Sequence, residues 1–250
     1  MAFPTSAKPV VYISDLTHTV NGISANTVPL GSSYVFAYAK SKLGDLLDFD
    51  LFKFPDDLSN AINTTPPNVL CFSAYSWNLE ISYKFAEVCK KKFPRTAVLF
   101  GGPNFPTDEQ EKIDFLKSRP AIDFFIELEG EYGVEDTLLK LFEHNFDVLK
   151  LKHKLVPIVN TTYLVEDQLI TGPQDRIQNV NDLPSPYLSG ALDKFFDIGL
   201  IPMVETTRGC PFTCAYCADG LKVKSKIYRY EACRTEEELN YIAKKVVNTS

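Results

Sequence analysis

The chain lacks an excess of positive charge and lacks any long apolar run. Its 250 residues include 26 Lys and Arg against 32 Asp and Glu, which gives a formal net charge of −6. Nucleic-acid binding depends on clustered basic side chains, so this balance gives no case for a nucleic-acid partner. No apolar stretch approaches the ~20 residues that span a bilayer, and residues 1–8 lack the pattern of a signal peptide. The sequence therefore predicts a cytoplasmic protein without a membrane span.

Cysteine and histidine are scarce, with six Cys and three His in the chain. A cytoplasmic chain keeps its thiols reduced, which argues against disulfides. Cys71 and Cys89 lie in apolar segments, and Cys233 has no Cys or His close by. These three are predicted to be ordinary core residues, as free cysteines usually are. The other three form one Cys-x-x-x-Cys-x-x-Cys motif near the end of the chain.

Short apolar runs alternate with longer amphipathic segments from residue 9 to about 145. The predicted strands are residues 9–14, 47–54, 69–73, 97–100 and 122–126. The predicted helices are residues 33–43, 79–92, 107–117 and 133–143. Such alternation predicts an α/β fold with a parallel sheet covered on both faces. We expect a doubly wound domain of the flavodoxin-like or Rossmann type, which binds ligands beyond the carboxyl ends of its strands.

The sequence pattern changes after residue 150. Residues 155–171 alternate around Glu166-Asp167-Gln168, which predicts a hairpin, and the proline-containing residues 172–190 predict a linker. A further strand is expected at 199–205, directly before the cysteines, and an amphipathic helix at 235–247. The predicted domains are therefore residues 1–150, a hairpin and linker at 151–198, and a third part at 199–250.

Cys210, Cys214 and Cys217 are the main candidates for chemistry. Thiolates are the usual ligands of iron–sulfur clusters, and spacings of four and three allow a short loop to wrap one cluster. With six Cys in 250 residues, on the order of 0.003 such triplets arise by chance. Three ligands would leave one iron open to a substrate or cofactor. The alternatives are a structural zinc site, which usually needs a fourth Cys or His, and three unrelated core cysteines.

The segment Thr207-Arg208-Gly209-Cys210-Pro211-Phe212-x-Cys214-x-Tyr216-Cys217 resembles the signature of radical S-adenosylmethionine enzymes. The resemblance implies that the three cysteines hold a [4Fe–4S] cluster whose fourth iron binds S-adenosylmethionine. One electron, supplied by a donor such as flavodoxin or ferredoxin, would cleave that cofactor to methionine and a 5′-deoxyadenosyl radical. Tyr216 occupies the aromatic position that the family places against the adenine. The resemblance identifies no catalytic residue beyond the cluster ligands, and the small-molecule substrate stays unknown.

The first 150 residues resemble the cobalamin-binding domain that is fused to one large subgroup of that family. One element of the resemblance is the Pro-x-Gly turn at Pro29-Leu30-Gly31. The others follow the third, fourth and fifth strands, and they imply these cobalamin-contacting residues: Ser73, Ala74, Gly101, Gly102, Pro103, Glu129 and Gly130. Glycines there would let the backbone approach a bulky nucleotide tail.

One departure concerns the axial ligand of cobalt. Cobalamin carriers that use histidine show Asp-x-His-x-x-Gly after the first strand, whereas this chain has Asp15-Leu16-Thr17-His18 with the glycine displaced to Gly22. His18 is therefore predicted to be an ordinary loop histidine. Because other fused members lack the motif as well, the resemblance still implies cobalamin but no histidine ligation.

The two resemblances together imply the N-terminal portion of a cobalamin-domain radical S-adenosylmethionine enzyme, acting in methyl transfer, radical cyclisation or rearrangement. A βα barrel takes roughly 200 residues or more, so residues 199–250 would supply only the first elements of an incomplete barrel. We expect such a fragment to be inactive alone. The alternative is a non-catalytic iron–sulfur or metal-binding module on a doubly wound domain.

Overall fold

A computed structural model describes residues 7–217 and 219–247. Residues 1–8, in which no signal-peptide pattern was found, lie almost wholly outside the described residues. The chain divides into two compact units. Unit 1 comprises residues 1–25 and 39–176, and unit 2 comprises residues 26–38 and 177–250. The predicted domain boundaries at 150 and 198 stay a prediction.

Unit 1 contains a seven-stranded sheet in the order β2-β1-β3-β4-β5-β6-β7. Its strands are β1 (Val10–Ser14), β2 (Asp48–Phe52), β3 (Val69–Ser73), β4 (Ala97–Gly101), β5 (Phe124–Ile126), β6 (Thr161–Val165) and β7 (Gln168–Thr171). The first five are parallel. The order reverses between β1 and β3, which makes their carboxyl ends the topological switch point. The predicted doubly wound, flavodoxin-like sheet is confirmed.

The central strands are short runs of apolar residues because both faces of the sheet are covered. All residues of β3 and β4 except the last in each strand are buried. One face contributes Tyr12, Leu70, Phe72, Val98 and Phe100 to a large core cluster. Since alternate side chains point to opposite faces, Val11, Ile13 and Cys71 lie on the other face, and these are buried as well.

The helices are α1 (Leu30–Leu43), α2 (Pro55–Thr64), α3 (Leu79–Lys92), α4 (Glu109–Lys117), α5 (Gly130–Glu143), α6 (Val148–His153) and α7 (Ala232–Val247). Two of them, α2 and α6, have no counterpart in the sequence prediction. Helix α2 begins on a proline and has two acidic residues in its first turn, which are ordinary start signals. Within the described residues no helix is long and apolar enough to cross a lipid bilayer.

The predicted hairpin is present as β6 and β7, and it extends the sheet. Strand β6 pairs antiparallel with β5, and β7 pairs antiparallel with β6. Glu166, at the turn, has a φ of 53°. The hairpin therefore belongs to unit 1, where it covers the edge that β5 would otherwise expose.

Unit 2 departs from the prediction in several places. The expected strand at 199–205 is wrong, because Ile201 forms only an isolated bridge with Thr27. Pro202 lacks a donor, and the amide and carbonyl of Met203 both bond to the Tyr187 hydroxyl instead of a strand. The strands found are β8 (Thr207–Arg208) and β9 (Tyr228–Arg229), which pair antiparallel.

The isolated cysteines are only partly as predicted. Cys71 and Cys89 are buried, and burial raises the pKa of the Cys71 thiol to about 12. The core prediction for Cys233 is wrong, because this residue lies on an exposed face in the first turn of α7. That helix begins at Ala232, three residues before the predicted start.

Candidate functional site

The carboxyl ends of the parallel strands bring several predicted residues to one edge of the sheet. Ser73 ends β3 and lies in register with Gly101, which ends β4. Asp15 follows β1 directly, and Lys53 follows β2. Polar side chains from the ends of β1, β2 and β3 are therefore gathered around the switch point, where a doubly wound sheet binds its ligand.

The Asp15 carboxylate is the centre of this polar group. Its Oδ1 accepts a hydrogen bond from Ser73 Oγ at 2.5 Å and another from Asn78 Nδ2 at 3.0 Å. Its Oδ2 lies 3.7 Å from Lys53 Nζ. Asn78 is fully buried, and it also donates to Ser73 Oγ. We call Asp15, Lys53, Ser73 and Asn78 the switch-point network.

Lys53 is a buried charge. Only 2% of it is exposed. Burial lowers the pKa of its ammonium group, and the neighbouring Asp15 carboxylate acts in the opposite direction. The carboxylate therefore stabilises a cation that the sheet edge would otherwise exclude.

The loop between β3 and α3 presents aromatic surface above this network. Asn78 Oδ1 accepts from the Tyr75 amide at 2.8 Å and so fixes the loop backbone. The Trp77 ring stacks on the Tyr75 ring at 4.5 Å with an interplanar angle of 7°, and Trp77 is 55% exposed. His18 Nε2 lies 3.1 Å from the Trp77 carbonyl oxygen, and its ring is exposed. This contact fits the prediction that His18 is a loop residue.

The protein's own backbone leaves no room for a side chain at position 102. Its φ is +131°, and a Cβ there would lie 2.8 Å from the Ala74 carbonyl oxygen. At Gly101 a Cβ would meet Ile126 at 3.3 Å. The glycines thus allow close packing of neighbouring loops, whereas the sequence interpretation assigned that space to a nucleotide tail. Ala74 is fully buried and contributes only backbone, bonding to Gly101 and Asn104.

The loop after Pro103 is held by aromatic and charged contacts. Phe105 stacks on Phe125 at 3.9 Å. Lys112 Nζ donates to both carboxylate oxygens of Glu127, at 3.0 and 2.7 Å. Gly102 and Pro103 are themselves exposed. The loop therefore offers an accessible backbone on a fixed base.

Glu129 lies beyond β5, but its carboxylate already has a strong partner. Arg176 Nε donates to Glu129 Oε1 at 2.9 Å, and both side chains are buried. The Glu129 carbonyl accepts from Asn160 Nδ2, and Gly130 begins α5. Glu129 therefore anchors the segment around Arg176 to the sheet.

A buried polar atom without a hydrogen-bond partner gives a test of whether a ligand fits this edge of the sheet. Ser14 Oγ, fully buried in the last residue of β1, has no hydrogen-bond partner within the described part of the chain. Buried polar atoms are normally satisfied. An unpaired hydroxyl, an exposed Gly-Pro backbone and an exposed indole at one edge fit a large ligand that has both polar and apolar surface.

The cysteine motif lies in unit 2, in the loop between β8 and β9. Gly209 has a φ of +105°, and a Cβ there would lie 2.2 Å from the Lys226 carbonyl oxygen. The Cys210 amide donates to the Lys224 carbonyl at 3.0 Å, and the Cys217 amide donates to the Cys214 carbonyl at 3.1 Å. The backbone therefore folds into tight turns around the motif.

The thiols fit an iron–sulfur cluster in chemistry but are not arranged for one. Cys214 and Cys217 are exposed, and Cys210 is half-buried. Among residues 7–217 and 219–247, no group of three or more His, Cys, Asp or Glu side chains lies close enough to hold a metal ion. Tyr216 is 93% exposed. The predicted cluster and adenine contacts therefore stay predictions.

Sequence reasoning missed Lys53, Asn78 and Arg176. Lys53 lies one residue beyond β2 but inside the strand predicted at 47–54, so the sequence did not mark it as a residue at a strand end. Asn78 directly precedes α3, where a polar residue is common. The pairing of Arg176 with Glu129 spans 47 residues and left no local signal.

The sheet order and the polar network at its switch point define the class: a doubly wound ligand-binding domain. Comparison with known proteins shows which families the chain resembles. Residues 18–138 match the family of B12 binding domains. The chain is 30% identical over 190 residues to a 2-(S-pantetheinyl)-carbapenam-3-carboxylate methyltransferase of Streptantibioticus cattleyicolor, covering 73% of this chain and 26% of the relative.

Two further relatives point the same way. The cobalamin-dependent radical SAM methyltransferase TokK of Streptomyces tokunonensis is 29% identical over 185 residues, covering 71% of this chain and 26% of its own length. An uncharacterized methyltransferase of Pyrococcus horikoshii is 26% identical over 221 residues, covering 86% of this chain and 45% of its own length. The chain thus spans about a quarter of the length of the first two relatives.

A solved structure shares the fold. The cobalamin-dependent S-adenosylmethionine radical enzyme OxsB, with aqua-cobalamin and S-adenosylmethionine bound, superposes with a TM-score of 0.68 at 17% identity, covering 97% of this chain and 32% of that one. Residues 18–138 therefore resemble a B12 binding domain, and the chain is similar to part of a cobalamin-dependent radical SAM methyltransferase, while OxsB shares its fold.

Proposed function

We propose that unit 1 binds cobalamin at the carboxyl edge of its sheet. The observation that carries the proposal is the switch-point network, which places Asp15, Ser73 and Asn78 in a fixed arrangement at the point where the strand order reverses. The match of residues 18–138 to the B12 binding domains supports the choice of ligand.

The residues at this edge have separate roles in the proposal. The exposed Gly102-Pro103 backbone offers hydrogen-bonding groups to the ligand. Trp77, 55% exposed and stacked on Tyr75, offers an apolar face. Ala74 supports the Gly102 loop from below, and the buried Glu129–Arg176 pair holds the segment beyond β5 in place. Bound cobalamin supplies a cobalt centre that can carry a methyl group.

We further propose that Cys210, Cys214 and Cys217 bind one [4Fe–4S] cluster that serves S-adenosylmethionine chemistry, and that Tyr216 contacts that cofactor. Support comes from the motif, from the exposure of two of the three thiols, and from one relative that is named as a radical SAM methyltransferase. In this proposal the three thiolates converge on the cluster when it binds.

The reaction proposed for the whole protein is methyl transfer to a small molecule. All three relatives above are named as methyltransferases, one of them as an uncharacterized methyltransferase. An external one-electron donor, such as flavodoxin or ferredoxin, would reduce the cluster. The second candidate function is a non-catalytic iron–sulfur module, which is favoured by the exposure of Cys214 and Cys217.

The test of the cluster is anaerobic reconstitution of the chain with iron and sulfide, followed by metal analysis. We expect about four irons per chain in the wild type and broad visible absorption. The triple Cys→Ala variant at positions 210, 214 and 217 should lose both. Cys233→Ala is the matched control, because Cys233 is exposed but lies outside the motif. Equal iron in the triple variant and the wild type would contradict the proposal.

A further inference from the structure

The segment that precedes the cysteine motif carries a two-point ion pair. Arg208 Nε donates to Glu205 Oε1 at 3.2 Å, and Arg208 Nη2 donates to Glu205 Oε2 at 3.0 Å. The two side chains are 15% and 25% exposed. Two parallel bonds fix the orientation of the guanidinium plane as well as its distance. Arg208 therefore has a defined position two residues before Cys210.

Tyr230 extends this pair into a buried cluster. Its hydroxyl donates to Glu205 Oε2 at 3.0 Å, and 7% of the residue is exposed. Burial raises the pKa of the Tyr230 phenol; nearby Arg208 lowers it, while Glu205 raises it. The phenol therefore keeps its proton and remains a donor to the carboxylate throughout the physiological range.

A pair of aromatic rings completes the arrangement. The Tyr34 and Tyr230 rings stack at 6.0 Å with an interplanar angle of 22°. The Arg208 guanidinium lies 5.4 Å from the Tyr34 centroid, and the Arg234 guanidinium lies 4.5 Å from the Tyr230 centroid. Both cations thus lie over tyrosine rings, and Arg234 lies within 6.0 Å of the Tyr34 centroid as well, a favourable contact for arginine. We call Glu205, Arg208, Tyr230, Tyr34 and Arg234 the loop-base cluster.

Arg234 ties the loop-base cluster to the rest of unit 2. Its Nη1 donates to the Leu183 carbonyl oxygen at 2.5 Å, and its Nε donates to Glu238 Oε1 at 3.4 Å. Glu238 is 2% exposed. The loop-base cluster is therefore held by α7 and by the chain around Leu183 as well as by the loop itself.

The backbone transmits this fixed position to the first cysteine. Arg208 pairs with Tyr228 in the β8–β9 ladder, and Gly209 packs against the Lys226 carbonyl. The Cys210 amide then bonds to the Lys224 carbonyl. In contrast, Cys214 and Cys217 are exposed. The base of the loop is therefore anchored, whereas its tip carries two exposed thiols.

We propose that Glu205, Arg208 and Tyr230 are positioning residues that hold Cys210 in place and so set how long the cluster is retained. This inference rests on the proposed function, because it presupposes that the three cysteines bind iron. None of the three side chains is assigned as a ligand. Their effect is to limit the number of loop conformations, so that less ordering is needed when the tip closes.

The test uses the whole chain, reconstituted anaerobically, and measures the rate at which a chelator removes iron. Tyr230→Phe deletes the hydroxyl that bonds to Glu205, and Arg208→Lys replaces the two-point contact with a single charge. Tyr228→Phe is the matched control, because it makes the same chemical change on the same strand, and its hydroxyl bonds to Gln178 outside the loop-base cluster. Tm and the electron paramagnetic resonance spectrum of the reduced cluster are recorded for each variant.

We expect Tyr230→Phe and Arg208→Lys to release iron about tenfold faster than the wild type, the size expected for losing one hydrogen bond to a charged group. Tyr228→Phe should release iron at the wild-type rate. If the wild type binds no iron, the proposed function fails. If the wild type binds iron and both variants release it at the wild-type rate, this inference is wrong. A lowered Tm with unchanged release would assign these residues to stability alone and would equally overturn it.

Discussion

At the scale of single residues, the Asp15 carboxylate carries more of the site than any side chain the sequence singled out. It accepts from Ser73 and Asn78 and faces the buried Lys53 ammonium. A buried cation is tolerated only when a counter-charge is near. Asp15 is therefore both the centre of the proposed ligand site and the group that makes Lys53 acceptable.

Asp15→Ala tests this double role through stability. We expect the free energy of unfolding at pH 7 to fall by about 2–3 kcal/mol, because an ammonium group stays buried without its carboxylate. Burial already lowers the pKa of Lys53 in the folded chain. At pH values between this lowered pKa and the ordinary lysine pKa, the folded variant therefore binds fewer protons than the unfolded variant. The loss should therefore shrink as pH rises from 7 toward 10.

The measurement is urea unfolding of wild type, Asp15→Ala and the double variant Asp15→Ala, Lys53→Met across that pH range. The double variant removes the buried charge as well, so it should recover part of the loss and should show no change of the effect with pH. A loss in Asp15→Ala that grew with pH would contradict the role assigned to Lys53.

At the scale of elements, the Tyr187 hydroxyl replaces the partner strand expected beside residues 199–205. Its hydroxyl donates to the Met203 carbonyl at 2.6 Å and accepts from the Met203 amide at 3.0 Å. A single side chain thus satisfies the backbone that a neighbouring strand would have paired. The extended segment before the cysteine motif is therefore fixed at that point by a phenol.

Tyr187→Phe should lower the free energy of unfolding by about 1 kcal/mol at neutral pH, since it leaves two backbone groups unpaired. Burial raises the pKa of Tyr187 to about 12, above the ~10 of an unfolded tyrosine. The stabilisation is therefore complete below pH 10 and is lost as pH rises from 10 to about 12.

The measurement is the free energy of unfolding of the wild type and of Tyr187→Phe as a function of pH, and the two curves should converge between pH 10 and about 12. Tyr216→Phe, whose ring is 93% exposed, is the control that should change nothing at pH 7, and a constant Tyr187 difference up to pH 12 would contradict this account.

The elements that the sequence predicted well are those with local signals. Four of the five parallel strands are mostly buried apolar runs, whereas β2 alternates exposed Asp with Phe before two buried residues. Helices α3 and α5 and the β6–β7 hairpin follow from periodicity and turn residues. Helix α2 was missed although Pro55 marks its start. The strand at 199–205 failed because an apolar run predicts burial but does not identify its partner, here a hydroxyl from Tyr187.

The candidate site was predictable in location but not in detail. The fold places Ser73 and Gly101 at one edge of the sheet, as the strand-end pattern indicates. The pairing of Arg176 with Glu129, and of Lys53 with Asp15, joins residues 47 and 38 positions apart by side-chain geometry, which no sequence period records. The sequence therefore located the edge of the sheet, and the structure identified which side chains form its base.

At the scale of the whole molecule, the chain has two compact units, with the proposed cobalamin site in unit 1 and the cysteine motif in unit 2. It spans about a quarter of the length of two relatives that are named as methyltransferases. The two proposed cofactors thus depend on different residues and different units. Each can be tested by variants that leave the other set of residues unchanged.

The most direct measurement is equilibrium titration of the chain with hydroxocobalamin, followed by its visible spectrum. We expect saturable binding of one cobalamin per chain below about 50 μM, a binding free energy of roughly 6 kcal/mol. Gly102→Ala should weaken binding at least about tenfold, because its Cβ would displace the Ala74 backbone. Gly199→Ala, at another positive-φ glycine with open space around it, is the control and should bind as the wild type does. The absence of saturable binding by the folded wild-type chain would contradict the assignment of unit 1 as a cobalamin site.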